Sequence, residues 1–202
     1  MMNLLADCRG KTLANDLKWL NEPPRWQIAD GALDITPAAP SDFFRPFEGN
    51  KRDNCCLLYK DVTGDFTAVA CAKADLADFG DAAAVTVRAS ETQWAKVCLE
   101  RNPIGEVSLV SVVTDPWSDD SNGELLSSPE CFMRLTRKGS MFGMHYSLDG
   151  TVWRFVRAFA MELPSAVKVG IHAQAPFTPG CHVRFRSFSI SPQAVADLRS
   201  GE

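Results

Sequence analysis

The chain has 202 residues, 46% hydrophobic and 23% charged, an ordinary globular composition that supports one domain with a sizeable core and needs no disulfide or metal to hold it. A net charge of −4 and a pI near 5.4, with basic residues scattered along the chain, exclude any sequence-wide electrostatic case for nucleic acid or an anionic membrane. No apolar segment approaches the ~18 residues of a transmembrane helix.

Residues 1–18 read as an N-terminal extension, with one or two helical turns expected before residue 22 and no apolar run of signal-peptide type. From residue 19 to 191 the chain reads as one domain of short β-branched or aromatic runs separated by Gly, Pro, Asp and Asn. "RWQIADGALDIT" gives two strands around Asp30-Gly31, a hairpin signal. "DNCCLLYKDV" and "DFTAVACAKADL" follow, then "DAAAVTVRAS" and "WAKVCLERN", then "EVSLVSVVT". A polar excursion, "DPWSDDSNGELLSSPE", is expected to interrupt the strands between Asp115 and Glu130. Strands resume with "CFMRLTRKG", "MFGMHYS", "TVWRFVRAF", "SAVKVGIHAQA" and "CHVRFRSFSIS". Residues 192–202 read as a short helix or a frayed tail. Roughly a dozen strands with no long helix indicate an antiparallel sandwich or barrel, and the lack of an internal repeat argues against a propeller or solenoid.

Strand parity sorts the faces, because alternate residues point to opposite sides. Val85 and Val87 oppose Thr86 and Arg88. Ala95, Val97 and Leu99 oppose Trp94, Lys96, Cys98 and Glu100. Val169, Ile171 and Ala173 oppose Gly170, His172 and Gln174. Met133 and Leu135 oppose Arg134 and Thr136. If these strands share a sheet, its face away from the core carries Arg88, Trp94, Lys96, Glu100, Arg134, His172 and Gln174.

The chemistry of that face is modest. Glu100 is the lone carboxylate of its strand face, with Lys96 and Arg88 as expected neighbours, so it is expected to stay ionised in an ion pair or a ligand contact rather than act as a general acid. His172 has no identifiable nucleophile or acid partner, and reads as a surface or network histidine rather than a base. His145 and His182 form no pair with it, so no zinc site is expected. Asp115, Asp119, Asp120, Asn122 and Glu124 offer oxygen ligands of the kind calcium takes, but the spacing fails as an EF-hand: Ser118 would hold position one and Pro129 the closing position. A solvated acidic loop is the expectation there, with Trp117 either stacking on a sugar ring or plugging the sandwich mouth. In "SDFFRP", Phe43 and Phe44 point to opposite sides, so at least one should be core, and Arg45 should make an ordinary salt bridge. In "HYSLDGTVWRFVR" the Asp149-Gly150 pair reads as a hairpin turn, with Trp153 or Phe155 expected in the core.

The seven cysteines, Cys8, Cys55, Cys56, Cys71, Cys98, Cys131 and Cys181, include no C-x-x-C pair. Free thiols inside apolar runs favour a reducing, cytoplasmic setting.

"WLNEPPRWQIADGALDIT", "SDFFRP", "GDFTAVA", "AVTVRASETQWAKVCLE", "SLVSVVTDPWSDD", "RLTRKGSMFGMHYSLDGTVWRFVR" and "VGIHAQAPF" occur in an order that resembles one family. It is the domain-of-unknown-function family that includes the yeast regulation-of-enolase protein, within the concanavalin A-like lectin/glucanase superfamily. The resemblance covers Trp19 to about Ile190 and implies a jelly-roll sandwich of two curved antiparallel sheets, with no established reaction. "DAAAVTVR" departs from the Gln-Ala-Gly-type run expected there, which puts a polar role for Ala82 in doubt. Glucan-cleaving members of the superfamily carry an E-x-D-x-E-like array that sets carboxylates about 5 Å apart, and this chain has none. The expectation is a non-catalytic module without cofactor or metal, binding a carbohydrate or small polar metabolite on the concave sheet face. A regulatory protein-protein module for a cytosolic metabolic enzyme is the alternative, and an uncharacterised hydrolase is less favoured. Fold alone cannot decide among them.

Overall fold

The structure is a computed structural model that describes all 202 residues, and it is a sandwich of two antiparallel sheets with no helix. Sixteen strands are numbered β1 to β16 in chain order. The first sheet runs β1 (Lys18–Leu20), β6 (Leu57–Thr63), β15 (Ala166–Gln174), β8 (Ala82–Arg88), β9 (Trp94–Arg101), β10 (Val107–Thr114), β11 (Ser118–Leu125). The second runs β14 (Arg154–Ala160), β13 (Met141–Ser147), β12 (Glu130–Lys138), β7 (Phe66–Asp75), β16 (His182–Ser191), β3 (Ala32–Thr36), β2 (Arg25–Ala29). A small hairpin of β4 (Phe43–Phe44) and β5 (Arg52–Asp53) stands apart from both. The jelly-roll sandwich expected from the sequence is the fold of the chain.

Two apolar layers follow from strand parity. The main core lies between the sheets and takes Val85, Val87, Ala95, Val97, Leu99, Val169 and Ile171 from one, and Ala70, Met133, Leu135, Phe142 and Phe185 from the other. A second cluster of nine buried residues sits on the outer side of the first sheet, where Trp94, Cys98, Ala82, Ala84, Val110 and Val112 meet Phe43 and Cys55. Every residue of β8 is therefore buried on one side or the other, although its sequence carries alternating polarity only from Thr86 onward.

Local sequence explains two close approaches. Gly170 lies where β15 runs against β6, and a Cβ there would sit 2.2 Å from the Leu58 carbonyl oxygen, so no larger residue fits without moving backbone. Gly150 takes φ +77° in the β13–β14 turn, the left-handed conformation glycine adopts without strain. Asp149 closes that turn by accepting from the amides of Thr151 and Val152 at 2.8 and 2.9 Å.

Several expectations are corrected. The helical turns expected before residue 22 are absent; residues 1–17 form turns that place Leu4, Leu5, Cys8 and Leu17 in the main core. The polar excursion is not a strand-free loop: Ser118–Leu125 is β11, an edge strand paired with β10 from Thr114↔Ser118 to Ser108↔Leu125. One face of an edge strand meets solvent and one side lacks a neighbour, so apolar alternation is not required, and Asp119 and Asp120 guard the edge against further pairing. Neither Trp153 nor Phe155 is in the core. Phe155 pairs with His145, whose side chain points away from the core on β13, and a register shift at Met144/His145 fixes that facing. The tail at 192–202 is not helical but folds back across the second sheet, held by Thr67 Oγ1 to Gln193 O and Lys138 Nζ to Ala196 O, both 2.7 Å.

Candidate functional site

Register brings most of the sequence-selected residues together. In the first sheet Gln174, Ala82 and Glu100 are aligned across β15, β8 and β9, as are His172, Ala84 and Cys98, then Gly170, Thr86 and Lys96. Arg88 and Trp94 form the next row. Six of the eight residues thus share the outer face of one sheet.

The chain itself covers half of that face. Phe43, fully buried, stands over it with its ring 5.5 Å from His172 and 6.1 Å from Trp94. Arg88 lies 4.8 Å from the Phe43 ring and grips Asp53 of β5 through two parallel hydrogen bonds of 2.7 and 2.8 Å. Such forked pairs fix orientation as well as position. Arg88 is therefore not a neighbour of Glu100 but the clasp that holds the β4–β5 hairpin down. Arg45 makes no salt bridge; its Nε donates to the Pro116 carbonyl at 3.2 Å.

Beyond Phe43 the face opens into a pocket of about 170 Å³. Lys96, Glu100, Gln174 and Asp42 line its polar part, and Phe44, Phe79, Phe177 and Pro176 its apolar part. Lys96 Nζ uses all three of its protons, donating to Gln174 Oε1 at 2.7 Å, Phe43 O at 2.9 Å and Asp42 Oδ1 at 3.1 Å. Burial alone would lower its pKa, but the surrounding acids, Asp42 foremost, raise it above the ordinary lysine value. Gln174 in turn donates from Nε2 to Gly80 O at 2.9 Å. His172 completes the network, with Nδ1 2.9 Å from Thr86 Oγ1 and Nε2 3.2 Å from Gln174 Oε1. Since Gln174 Oε1 only accepts, Nε2 carries the ring proton and Thr86 donates to Nδ1. Burial, and then Lys96, holds the His172 pKa down to about 3, so the ring is neutral. The network reading of His172 agrees with this geometry.

Glu100 departs from expectation. It is 8% exposed, and the only side chain it meets in a hydrogen bond is the Cys98 thiol. Burial raises its pKa to about 8; Lys96 opposes that rise, while Asp42 and Asp120 add to it. The ionised glutamate expected beside cations is instead a protonated carboxyl near neutral pH, because desolvation outweighs a lysine already committed to Asp42.

The remaining two candidates lie elsewhere. Arg134 belongs to β12 and so to the second sheet, on the opposite outer face of the sandwich. Parity gave its facing correctly, but parity does not say which sheet a strand joins. Trp117 is half-buried before β11, with Phe47 5.4 Å away edge-on and Lys51 4.6 Å from its ring, so it packs on the loop after β4 rather than in the pocket. No group of three or more His, Cys, Asp or Glu side chains is arranged to hold a metal.

Sequence reasoning did not place Asp42, Asp120 or the aromatic rim at this pocket, Asp120 being read only as an oxygen donor of a solvated acidic loop. Phe79 and Phe177 stack with centroids 5.4 Å apart, and Asp81 ties their loops together by accepting from the Ala77 and Asp78 amides and from Thr178 Oγ1. The "DFGD" and "APFTPG" runs were available signals, since aromatics among turn residues are seldom core.

The family model described as protein of unknown function (DUF1349) matches residues 19–193. The chain belongs to that family. Among solved structures of similar shape, a functionally unknown protein from Saccharomyces cerevisiae is 25% identical with a TM-score of 0.83, over 88% of this chain and 97% of that one. The GH43 BlXynB protein from Bacillus licheniformis is 13% identical with a TM-score of 0.73, over 95% of this chain but only 39% of that one. The family member thus spans well under half of that larger protein. Lectin I-B4 from Griffonia simplicifolia, in its metal-free form, is 11% identical with a TM-score of 0.62, over 94% of this chain and 98% of that one. At these identities the last two show a shared fold and nothing further. No curated protein sequence matches the chain.

Proposed function

We propose that the protein is a non-catalytic binding module whose pocket on the outer face of the first sheet takes a carbohydrate or small polar metabolite. The observation that carries this reading is Glu100, a nine-tenths buried carboxyl that lines an open pocket and lacks a protein partner other than a thiol. A protonated carboxyl can donate one hydrogen bond and accept another, which suits a hydroxyl. Lys96 and Gln174, locked by their own network, form a rigid floor, and the stacked rings of Phe79 and Phe177 give the apolar wall on which a sugar ring packs. The lectin-like shape is in keeping with a carbohydrate. Of the carboxylates that share the pocket with Glu100, Asp42 is paired with Lys96 and Asp120 sits on the exposed edge strand β11, which supports binding over hydrolysis.

The test is a thermal-shift array of glycans and polar metabolites on the wild type, Glu100→Ala and Gln174→Ala. A ligand at about 100 times its Kd should stabilise the wild type by about 2.7 kcal/mol and the variants much less. If no compound shifts the wild type, or if the variants respond equally, the reading fails.

A second reading, a regulatory module for a cytosolic metabolic enzyme such as enolase, is favoured by the exposure of the same rim: Phe79 is 39% and Phe177 60% exposed. Capture of enolase by the wild type but not by Phe177→Ser would support it. A reducing, cytoplasmic setting is proposed on the ground that all seven cysteines are free and buried.

A further inference from the structure

We propose that the outer face of the second sheet holds a separate binding site for a small polyhydroxylated anion, a carboxylate or phosphate ester, with Arg134 receiving the oxyanion and Trp153 and a row of serines receiving the rest. The groove there has a volume of about 460 Å³ and is lined by Arg134, Trp153, Thr67, Ser187, Ser189 and Ser191 among others.

Four cationic side chains in this protein are buried: Arg88, Lys96, Arg134 and Arg137. Three are compensated. Arg88 pairs with Asp53 and Lys96 with Asp42. Arg137 donates to four carbonyls, those of Gly139, Leu163, Pro164 and Ser165. Arg134 is the exception. It is 5% exposed, makes one hydrogen bond, from Nη2 to Gly201 O at 2.8 Å, and leaves a buried Nε without a partner. A buried cation is costly unless an anion or several acceptors meet it.

No carboxylate of the chain makes an ion pair with Arg134, whose one hydrogen bond goes to the Gly201 carbonyl beside Glu202. The cross-strand neighbour of Arg134 is His145, also fully buried, whose pKa is held down to about 4 by burial and then by Arg134 itself. Asp197, in the tail above, turns its carboxylate to the Arg199 and Ser200 amides at 2.7 and 3.4 Å. Arg199 lies over Phe155, 5.6 Å from its ring centroid, and adds further positive charge to this face. Burial with no opposing charge lowers the Arg134 pKa to about 10, which still leaves it protonated at neutral pH.

The rest of the groove suits a hydroxylated body. The Arg134 guanidinium lies 4.1 Å from the Trp153 ring centroid, which orients the cation, and the indole itself is only partly buried. Ser187, Ser189 and Ser191 alternate with Phe188 and Ile190 on β16, so their hydroxyls form a row on the groove side. Only Ser189 has a partner within the chain, a weak contact to Met1 Sδ at 3.8 Å. An oxyanion at the guanidinium places attached hydroxyls along that row.

The experiment is calorimetric titration of the full chain, in a buffer free of phosphate and carboxylate, with D-glucuronate, D-glucose 6-phosphate and D-glucose. At least one anion should bind saturably and glucose at least about tenfold more weakly; which anion binds tells carboxylate from phosphate. Arg134→Gln should weaken the anion by at least about tenfold, the scale of a lost charge-assisted hydrogen bond. Ser187→Val keeps Arg134 and fills the groove, so it should weaken binding too, and it decides the matter should Arg134→Gln fail to fold. Glu100→Gln should leave anion binding unchanged. The proposal is overturned if neither anion binds, if glucose binds as well as the anions, if folded Arg134→Gln and Ser187→Val both bind normally, or if Glu100→Gln abolishes binding and so moves the anion to the other face.

Discussion

Lys96 Nζ and Gln174 Oε1 are 2.7 Å apart although a whole strand, β8, separates the strands that carry them. The diagonal from Lys96 to Gln174 passes over β8 between Thr86 and Ala82, at Ala84. A side chain larger than alanine at that point would block the crossing. The short side chains in "DAAAVTVR" are therefore what allows the buried lysine to reach the pocket floor, and Ala82 contributes by its size rather than by polarity.

Ala84→Leu should destabilise the fold by about 1–3 kcal/mol, the usual cost of overpacking a filled site. It should also displace Lys96 from Gln174 and so abolish the ligand-induced shift seen with the wild type. Urea unfolding measures the first effect and the thermal-shift array the second. Unchanged stability together with an unchanged ligand response would refute the bridging role of this lysine.

Glu100 makes stability depend on pH in a defined window. Its folded pKa of about 8 lies above its ordinary value of 4.5, so the folded state binds the proton more tightly than the unfolded state does. Stability from this group is fully present below pH 4.5 and falls as pH rises toward 8, after which the loss is complete. Glu100→Gln, which keeps the shape and removes the titration, should flatten that slope by up to a few kcal/mol between pH 5 and pH 9. Denaturant unfolding of both proteins across that range is the measurement, and parallel curves would show that Glu100 does not titrate there.

His172 acts with the opposite sign. Its folded pKa of about 3 lies below its ordinary 6.5, so its contribution is present above pH 6.5 and drains away as pH falls toward 3. His145, held at about 4, adds to the same loss. Nuclear magnetic resonance of the imidazole protons should find both rings still neutral at pH 5.5. Protonation of His172 near pH 6.5 would show that water reaches the network.

How much was legible can be judged strand by strand. Alternation in "AVTVRAS", "WAKVCLE" and "KVGIHAQ" gave the correct facing of Arg88, Trp94, Lys96, Glu100, His172 and Gln174, because a two-residue period is imposed by the pleat itself. Arg134 was faced correctly and assigned to the wrong sheet, since period carries no information about which strands pair. β11 was invisible because an exposed edge strand needs no apolar alternation. The covering of the face by Phe43 was also hidden: "SDFFRP" shows that one phenylalanine should be buried, but only the fold shows that it is buried on the outer side, under the clasp of Arg88 and Asp53. The protonated state of Glu100 follows from its own burial at the far end of that face, which the two-residue period does not report.

Phe43 is thus the residue that sets the pocket's extent, and Phe43→Ala tests it. The ring is fully buried among Trp94, His172 and Arg88, so its loss should cost about 3–5 kcal/mol, as for other buried aromatics. The cavity left behind joins the existing pocket along the row from Gln174 to Trp94 and exposes the His172 ring to water. The His172 pKa should then rise from about 3 toward its ordinary 6.5, because the burial that depresses it is relieved. Unfolding by urea gives the stability change, and the imidazole titration gives the pKa. A variant that loses this stability while His172 stays neutral at pH 4 would mean that the β4–β5 hairpin collapses onto the sheet, leaving the pocket no larger than before.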